Sequence, residues 1–231
     1  MNQRQNQFLH YLGNALSELE YRLNEILTLC NRSTEQYRNG NSELKGQELN
    51  FAFSAFSGQL QTIKDVLPVI SGNEISWAML GEVKHAKFIK GCRNAITHDG
   101  QQVINMWREG KYYVACDFYR VTSKGGELII APSEDIAPSE DIATICIEFT
   151  LGLIDLVKQC LDSLVYDLRE SQPLYDVRFY DAAIRHPTIG DSVRKMYADA
   201  DESNLEQPVD LTTELNSKID KLRLICTSIL T

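Results

Sequence analysis

The residues of this chain best suited to chemistry gather in one short stretch, Lys84 to His98. Within it, Arg93-Asn94-Ala95-Ile96-Thr97-His98 sets a guanidinium five residues before an imidazole. A histidine titrates near neutrality and can accept or donate a proton during a reaction. An arginine keeps its charge and forks onto anionic oxygens, so electrostatic stabilisation suits it better than proton transfer. Asn94 can orient an anion or hold Arg93, and Lys84, Lys87 and Lys90 add positive charge on the preceding turns. Such a set suits an anionic reaction centre.

The other histidines are less suggestive. His10 and His85 fall inside helical patterns and read as structural, and His186 sits in the loop breaker Arg185-His186-Pro187. There is no glycine-rich phosphate loop, no Gly-x-Ser-x-Gly elbow and no His-Glu-x-x-His, so neither a cofactor nor a metal is expected. His85 and Cys92 share a helix face, but no further ligand follows at matching spacing. Cys30, Cys92, Cys116, Cys146, Cys160 and Cys226 are scattered without a Cys-x-x-Cys pair, which predicts reduced thiols rather than a disulfide framework.

These residues must be positioned by helices. Phe8, Leu9, Leu12, Leu16, Leu19, Leu23, Ile26 and Cys30 recur at three-four spacing and predict a long helix over 5–31. After Asn39-Gly40, Ser42 is a candidate N-cap for a second helix, which buries Leu49, Phe53, Phe56, Leu60, Ile63 and Leu67 and ends near Pro68. A third runs from about Glu74 to His98, with Gly100 as its stop. Lys111 to Val121 and Glu127 to Ala131, joined through Ser123-Lys124-Gly125-Gly126, read as one β-hairpin. The hexapeptide Ile-Ala-Pro-Ser-Glu-Asp occurs at 130–135 and again at 136–141, a duplicated lead-in to the fourth helix. That helix, about 139–170, carries the widest apolar stripe, from Ile142 to Leu168. A short helix near 189–200, an acidic linker at 199–210 and a last helix bearing Leu211, Leu215, Ile219, Leu222, Ile225 and Ile229 complete the chain. The expected fold is all-α: an antiparallel helical bundle over 1–171 with a hairpin insert at about 103–131, then a C-terminal helical extension over 172–231.

On an ideal wheel with Lys87 at zero, Lys84, Lys90, Asn94 and His98 fall within about 60° on either side. Phe88, Ile89, Cys92, Ala95 and Ile96 occupy the opposite side. The third helix thus has one face for a core and one for solvent. Arg93 and His98, however, diverge by about 140°. Either the helix unwinds after Thr97, or two copies of the helix pair across a two-fold axis.

The chain has 231 residues and a formal charge of −9, from 23 basic against 32 acidic side chains. That balance argues against a generic nucleic-acid binder and leaves room for a local basic site. No stretch is long and apolar enough for a membrane span, and the polar start Met1-Asn2-Gln3-Arg4 lacks the core of a secretory signal. The expected compartment is the cytoplasm.

The arrangement over about 1–170, and the six residues Arg93 to His98, resemble the HEPN superfamily. Its signature is an arginine, a polar residue and a histidine four to six positions beyond the arginine, near the end of a helix in an all-α bundle. Arg4 and His10 satisfy the same spacing, but without the asparagine, the lysines or the helix stop. The resemblance implies a metal-independent endoribonuclease of the toxin–antitoxin or phage-defence kind, acting as a homodimer paired through the motif helix. Arg93, Asn94 and His98 would then be catalytic and Lys84, Lys87 and Lys90 would bind RNA. Cleavage would proceed by attack of the ribose 2′-hydroxyl on the adjacent phosphate, which makes DNA a non-substrate. An antitoxin protein is a further expected partner. Some such toxins carry a tyrosine two residues after the histidine, where this chain has Gly100. The rival expectation is a non-catalytic HEPN-like dimerisation or partner-binding module.

Overall fold

The structure, a computed structural model, describes residues 1–41, 46–73, 75–100, 102–114, 118–121, 127–130, 140–200 and 207–230. Its regular elements are mostly helical, with two small antiparallel ribbons. The all-α class expected from hydrophobic periodicity is the class observed. Among the described residues no helix is long and apolar enough to cross a membrane.

Helix α1 (Gln3–Arg38) starts in a capping box: the Gln5 amide donates to Asn2 Oδ1 at 2.8 Å, and the Asn2 amide to Gln5 Oε1 at 3.0 Å. Leu9, Leu12, Leu16, Leu19, Leu23 and Ile26 are fully buried along one side. The helix runs beyond Asn31, where the apolar stripe gives out, because its last turns pack on a β-ribbon through polar and aromatic groups. Trp107 Nε1 donates to Ser33 Oγ at 3.0 Å, and Tyr37 meets the Trp107 ring edge-on. Helix α2 (Gly46–Ser71) lies along α1 and contributes Phe53, Phe56, Leu60, Ile63 and Leu67. It passes through Pro68 and ends a turn later than expected; a proline this late removes one backbone donor but leaves the final turn intact.

Helix α5 (Ile142–Asp162) is central and packs on α1, α2 and the last helix. Asp141 caps it, accepting from the Thr144 amide at 3.1 Å while Lys111 Nζ reaches its other oxygen at 2.8 Å. The helix stops well short of Glu170; Leu168 reaches the core from a separate 3-10 turn (Leu168–Glu170). Of the region expected as an extension, α6 (Val177–Ile184) and α7 (Asp191–Ala198) bury no residue, and α6 was not foreseen. Helix α8 (Leu211–Leu230) inserts Leu211, Leu215, Ile219, Leu222 and Cys226 into the same core as α1 and α5. Cys226 is buried, whereas Ile229, expected in the stripe, is exposed.

The expected hairpin is present as β3 (Phe118–Val121) paired with β4 (Glu127–Ile130), while Lys111–Tyr113, expected on its first strand, forms β2 of a separate ribbon with β1 (Met106–Arg108). The β1–β2 ribbon turns on Glu109-Gly110, with φ of 53° and 84°, the left-handed pair that a two-residue hairpin loop demands. A Cβ on Gly110 would lie 2.8 Å from Thr34 Cα, so the ribbon can seat against α1 only with glycine there. Ser42, the turn Ser123–Gly126, Cys116 and most of the duplicated hexapeptide lie outside the described residues.

Two asparagines pin extended segments to helices by imitating one rung of a β-ladder. Buried Asn50 donates from Nδ2 to Ile104 O at 2.9 Å and accepts from the Ile104 amide at 3.0 Å. Asn6 does the same with both backbone groups of Gln172. Cys30, Cys92, Cys146, Cys160 and Cys226 are free. Burial pushes the Cys30 thiol to about 12 and that of Cys226 to about 11, so these sulfurs stay protonated and unreactive.

Gly110→Ala is expected to destabilise the fold by about 1–3 kcal/mol, read as a lower denaturant midpoint at unchanged slope. Asn50→Leu removes both partners of a buried peptide unit and is expected to cost about 2–5 kcal/mol on the same measurement. A midpoint within experimental scatter of wild type would refute the corresponding packing account.

Candidate functional site

The stretch Lys84 to His98 is not one helix. A short helix α3 (Trp77–Leu80) is followed by a turn, and α4 (Ala86–Asp99) begins afresh. The break falls at His85, held in the left-handed region at φ 64°. Gly81, just after α3, was the available warning of a helix end in the sequence. The turn sits tightly against α5, since a Cβ on Gly152 would come within 3.0 Å of Val83 Cγ1.

Helix α4 buries Phe88, Ile89, Cys92 and Ala95, with Ile96 half-buried, against α2 and the rest of the core. Each large apolar side chain so buried contributes about 1.5–3 kcal/mol, which fixes the rotation of the helix about its axis. The opposite side carries Lys87, Thr97 and His98, all exposed, with Lys90 and Asn94 half-buried and half-buried Arg93 on its flank. Arg93 Nη1 donates to Asn94 Oδ1 at 3.2 Å. Strand β3 lies alongside this helix. Among the described residues no carboxylate forms an ion pair with Lys87, Arg93 or His98.

The helix stays regular through Asp99, and Gly100, at φ 68°, closes it by donating to Ile96 O at 3.0 Å. Unwinding after Thr97, one of the two ways of uniting Arg93 with His98, does not occur. Their side chains leave the axis about 140° apart and about 7.5 Å apart along it. Within one chain they do not converge on a common point.

Lys84 stands apart from Lys87 and Lys90, because the left-handed turn takes it off their helix. Its Nζ lies 2.7 Å from Glu148 Oε2 and 3.6 Å from Glu140 Oε1. The hydrogen bond to Glu148 raises the Lys84 ammonium above its ordinary value. Beside it the His85 ring is fully buried, with Nε2 2.8 Å from Glu148 Oε2 and 3.6 Å from Glu140 Oε2. Burial opposes the charge of Glu148, yet hydrogen bonds from Lys84 and His85 win and hold its carboxyl below the usual range. His85, Glu140 and Glu148 form a group with metal-ligating chemistry whose donor atoms lie within 4.8 Å of one another. Sequence spacing could not reveal it, since 55 and 63 positions separate the histidine from the two glutamates.

His10 Nε2 lies 2.9 Å from the Gln172 carbonyl, a structural tie at the start of α1. His186 is bound to Thr188 in its own loop. Neither approaches the face of α4 in role or place. No family model, no curated protein and no solved structure matches the chain.

Proposed function

We propose that this protein is a metal-independent endoribonuclease of the HEPN type, working as a homodimer through α4. The observation that carries the reading is the outer face of α4. There an exposed imidazole and Lys87, with Arg93 on the flank tethered to the Asn94 amide, stand without a pairing carboxylate among the described residues. On a chain of net charge −9, such a face attracts a polyanion only locally.

Because Arg93 and His98 diverge on a regular helix, the working site requires a second copy. Pairing two α4 helices across a two-fold axis would bring two guanidinium and two imidazole groups into one groove, with Lys87 and Lys90 along its rim. One histidine would take the 2′-hydroxyl proton as that oxygen attacks phosphorus. The other would give a proton to the departing 5′-oxygen, leaving a 2′,3′-cyclic phosphate. Arg93, oriented by Asn94, would carry the charge that builds on the non-bridging oxygens. Lys84, held by Glu140 and Glu148, would contribute only if released from them. In a cell this activity fits a toxin or phage-defence effector restrained by an antitoxin protein.

Purified protein incubated with a defined RNA in excess chelator is expected to yield 2′,3′-cyclic phosphate ends and to leave DNA of the same sequence whole. His98→Ala is expected to lower the rate by about 10²–10⁴ and Arg93→Ala by about 10²–10³, with helical content retained. Light scattering should give a dimer mass. Cleavage at the wild-type rate in both variants would overturn the assignment. A dimer without any cleavage would favour the non-catalytic dimerisation module instead.

A further inference from the structure

The cluster at the start of α4 has no part in the ribonuclease reading. His85 is the fully buried histidine of the described residues, and its Nε2 points between two carboxylates from the neighbouring element. Glu140 precedes the cap of α5 and Glu148 lies on its second turn, so the three donors come from two segments that pack together. Two donors each about 2.1 Å from a tetrahedral cation lie about 3.4 Å apart. The separations here, 2.8 Å from Nε2 to Glu148 and 3.6 Å to Glu140, straddle that value without any movement of the backbone. The Oε2 atom of Glu140 is buried with no hydrogen-bond partner. The nearest donor, His85 Nε2 at 3.6 Å, is too far to satisfy it, and Lys84 approaches the other oxygen of the same carboxylate.

We infer that His85, Glu140 and Glu148 form a binding site for a first-row divalent cation, zinc above magnesium. Imidazole nitrogen with two carboxylate oxygens suits zinc, whereas magnesium prefers an oxygen shell with retained water. Lys84 Nζ stands over the same carboxylate pair, 2.7 Å from Glu148 Oε2 and 3.6 Å from Glu140 Oε1. The ammonium of Lys84 now supplies the positive charge, but its side chain is 48% exposed and can swing out as the cation enters. Ammonium and metal are thus alternative occupants of one carboxylate pair.

Two features set the strength of binding. Lys84 must be displaced, and ligation through Nε2 places the ring proton on Nδ1, which is buried without an acceptor. Backing of that second nitrogen is worth about 10–100-fold in metal affinity. The dissociation constant is therefore expected on the order of micromolar, far weaker than closed structural zinc sites.

The full chain, stripped with chelator and dialysed against zinc, is expected to retain one zinc per chain by mass spectrometry of the metal. Cobalt in its place should give visible d–d absorption of a four-coordinate site with a nitrogen ligand. Glu148→Gln is expected to weaken binding at least tenfold while circular dichroism stays unchanged; Glu140→Gln should act likewise. Lys84→Met removes the competing ammonium and is expected to bind cobalt at least as tightly as wild type. That last result separates a cation site from an ion network built around lysine. Failure of the wild type to hold stoichiometric metal, equal binding by both glutamine variants, or weaker binding by Lys84→Met would each overturn the inference. RNA cleavage in chelator is a separate readout, so the two readings stand or fall independently.

Discussion

The placement of α4 rests on the contact between His85 and α5. A left-handed residue other than glycine is strained, at a cost of about 1–3 kcal/mol, and persists only where its surroundings hold it. Here the hold is a fully buried imidazole, 2.8 Å from Glu148, in a turn pressed against the α5 backbone at Gly152. Were that turn to relax into helix, α3 and α4 would merge and the apolar face of α4 would rotate away from α2. A hydrogen bond from one buried histidine, whose acceptor oxygen Glu148→Gln would keep, thereby holds the turn from which the whole motif helix departs.

Once its start is fixed, packing does the rest. Phe88, Ile89, Cys92 and Ala95 fill the side towards the core, and the polar side has nowhere to go but outward. The same logic operates at the other joints. Asn50 and Asn6 each give a passing extended segment the backbone partners it would otherwise lack, and Gly110 lets a ribbon touch α1. The core of α1, α2, α5 and α8 would tolerate volume-conserving exchange at many positions. These joints would not, because each depends on one atom in one place.

That difference explains what could be read from the sequence. Long apolar stripes announce helices, and α1, α2, α5 and α8 follow theirs closely. Their ends were less legible where helix gives way to contacts between polar side chains, as at Ser33 and Thr34 on α1, or where a glycine such as Gly81 was read through. The helix α6 escaped notice because it buries nothing, so no stripe marks it. Arg93, Asn94 and His98 were legible as a group, for they are neighbours in the chain. The group of His85 with Glu140 and Glu148 was not, since only the fold brings it together.

The two histidines that bracket α4 illustrate how burial divides the work of identical side chains. At the start of the helix, a fully buried imidazole and the half-exposed ammonium of Lys84 gather around two carboxylates. At the end, His98 stands in solvent with Lys87 on the same face, and no described carboxylate answers either. Glu140 and Glu148 are committed to Lys84 and His85 at the other end. The paired cluster and the unpaired positive face thus stand at opposite ends of one helix. Removing the carboxylates would free Lys84 at the first end, extending the positive surface back past the start of α4. Over about 20 Å of helix axis, from His85 to His98, the motif helix thus passes from paired to unpaired charge.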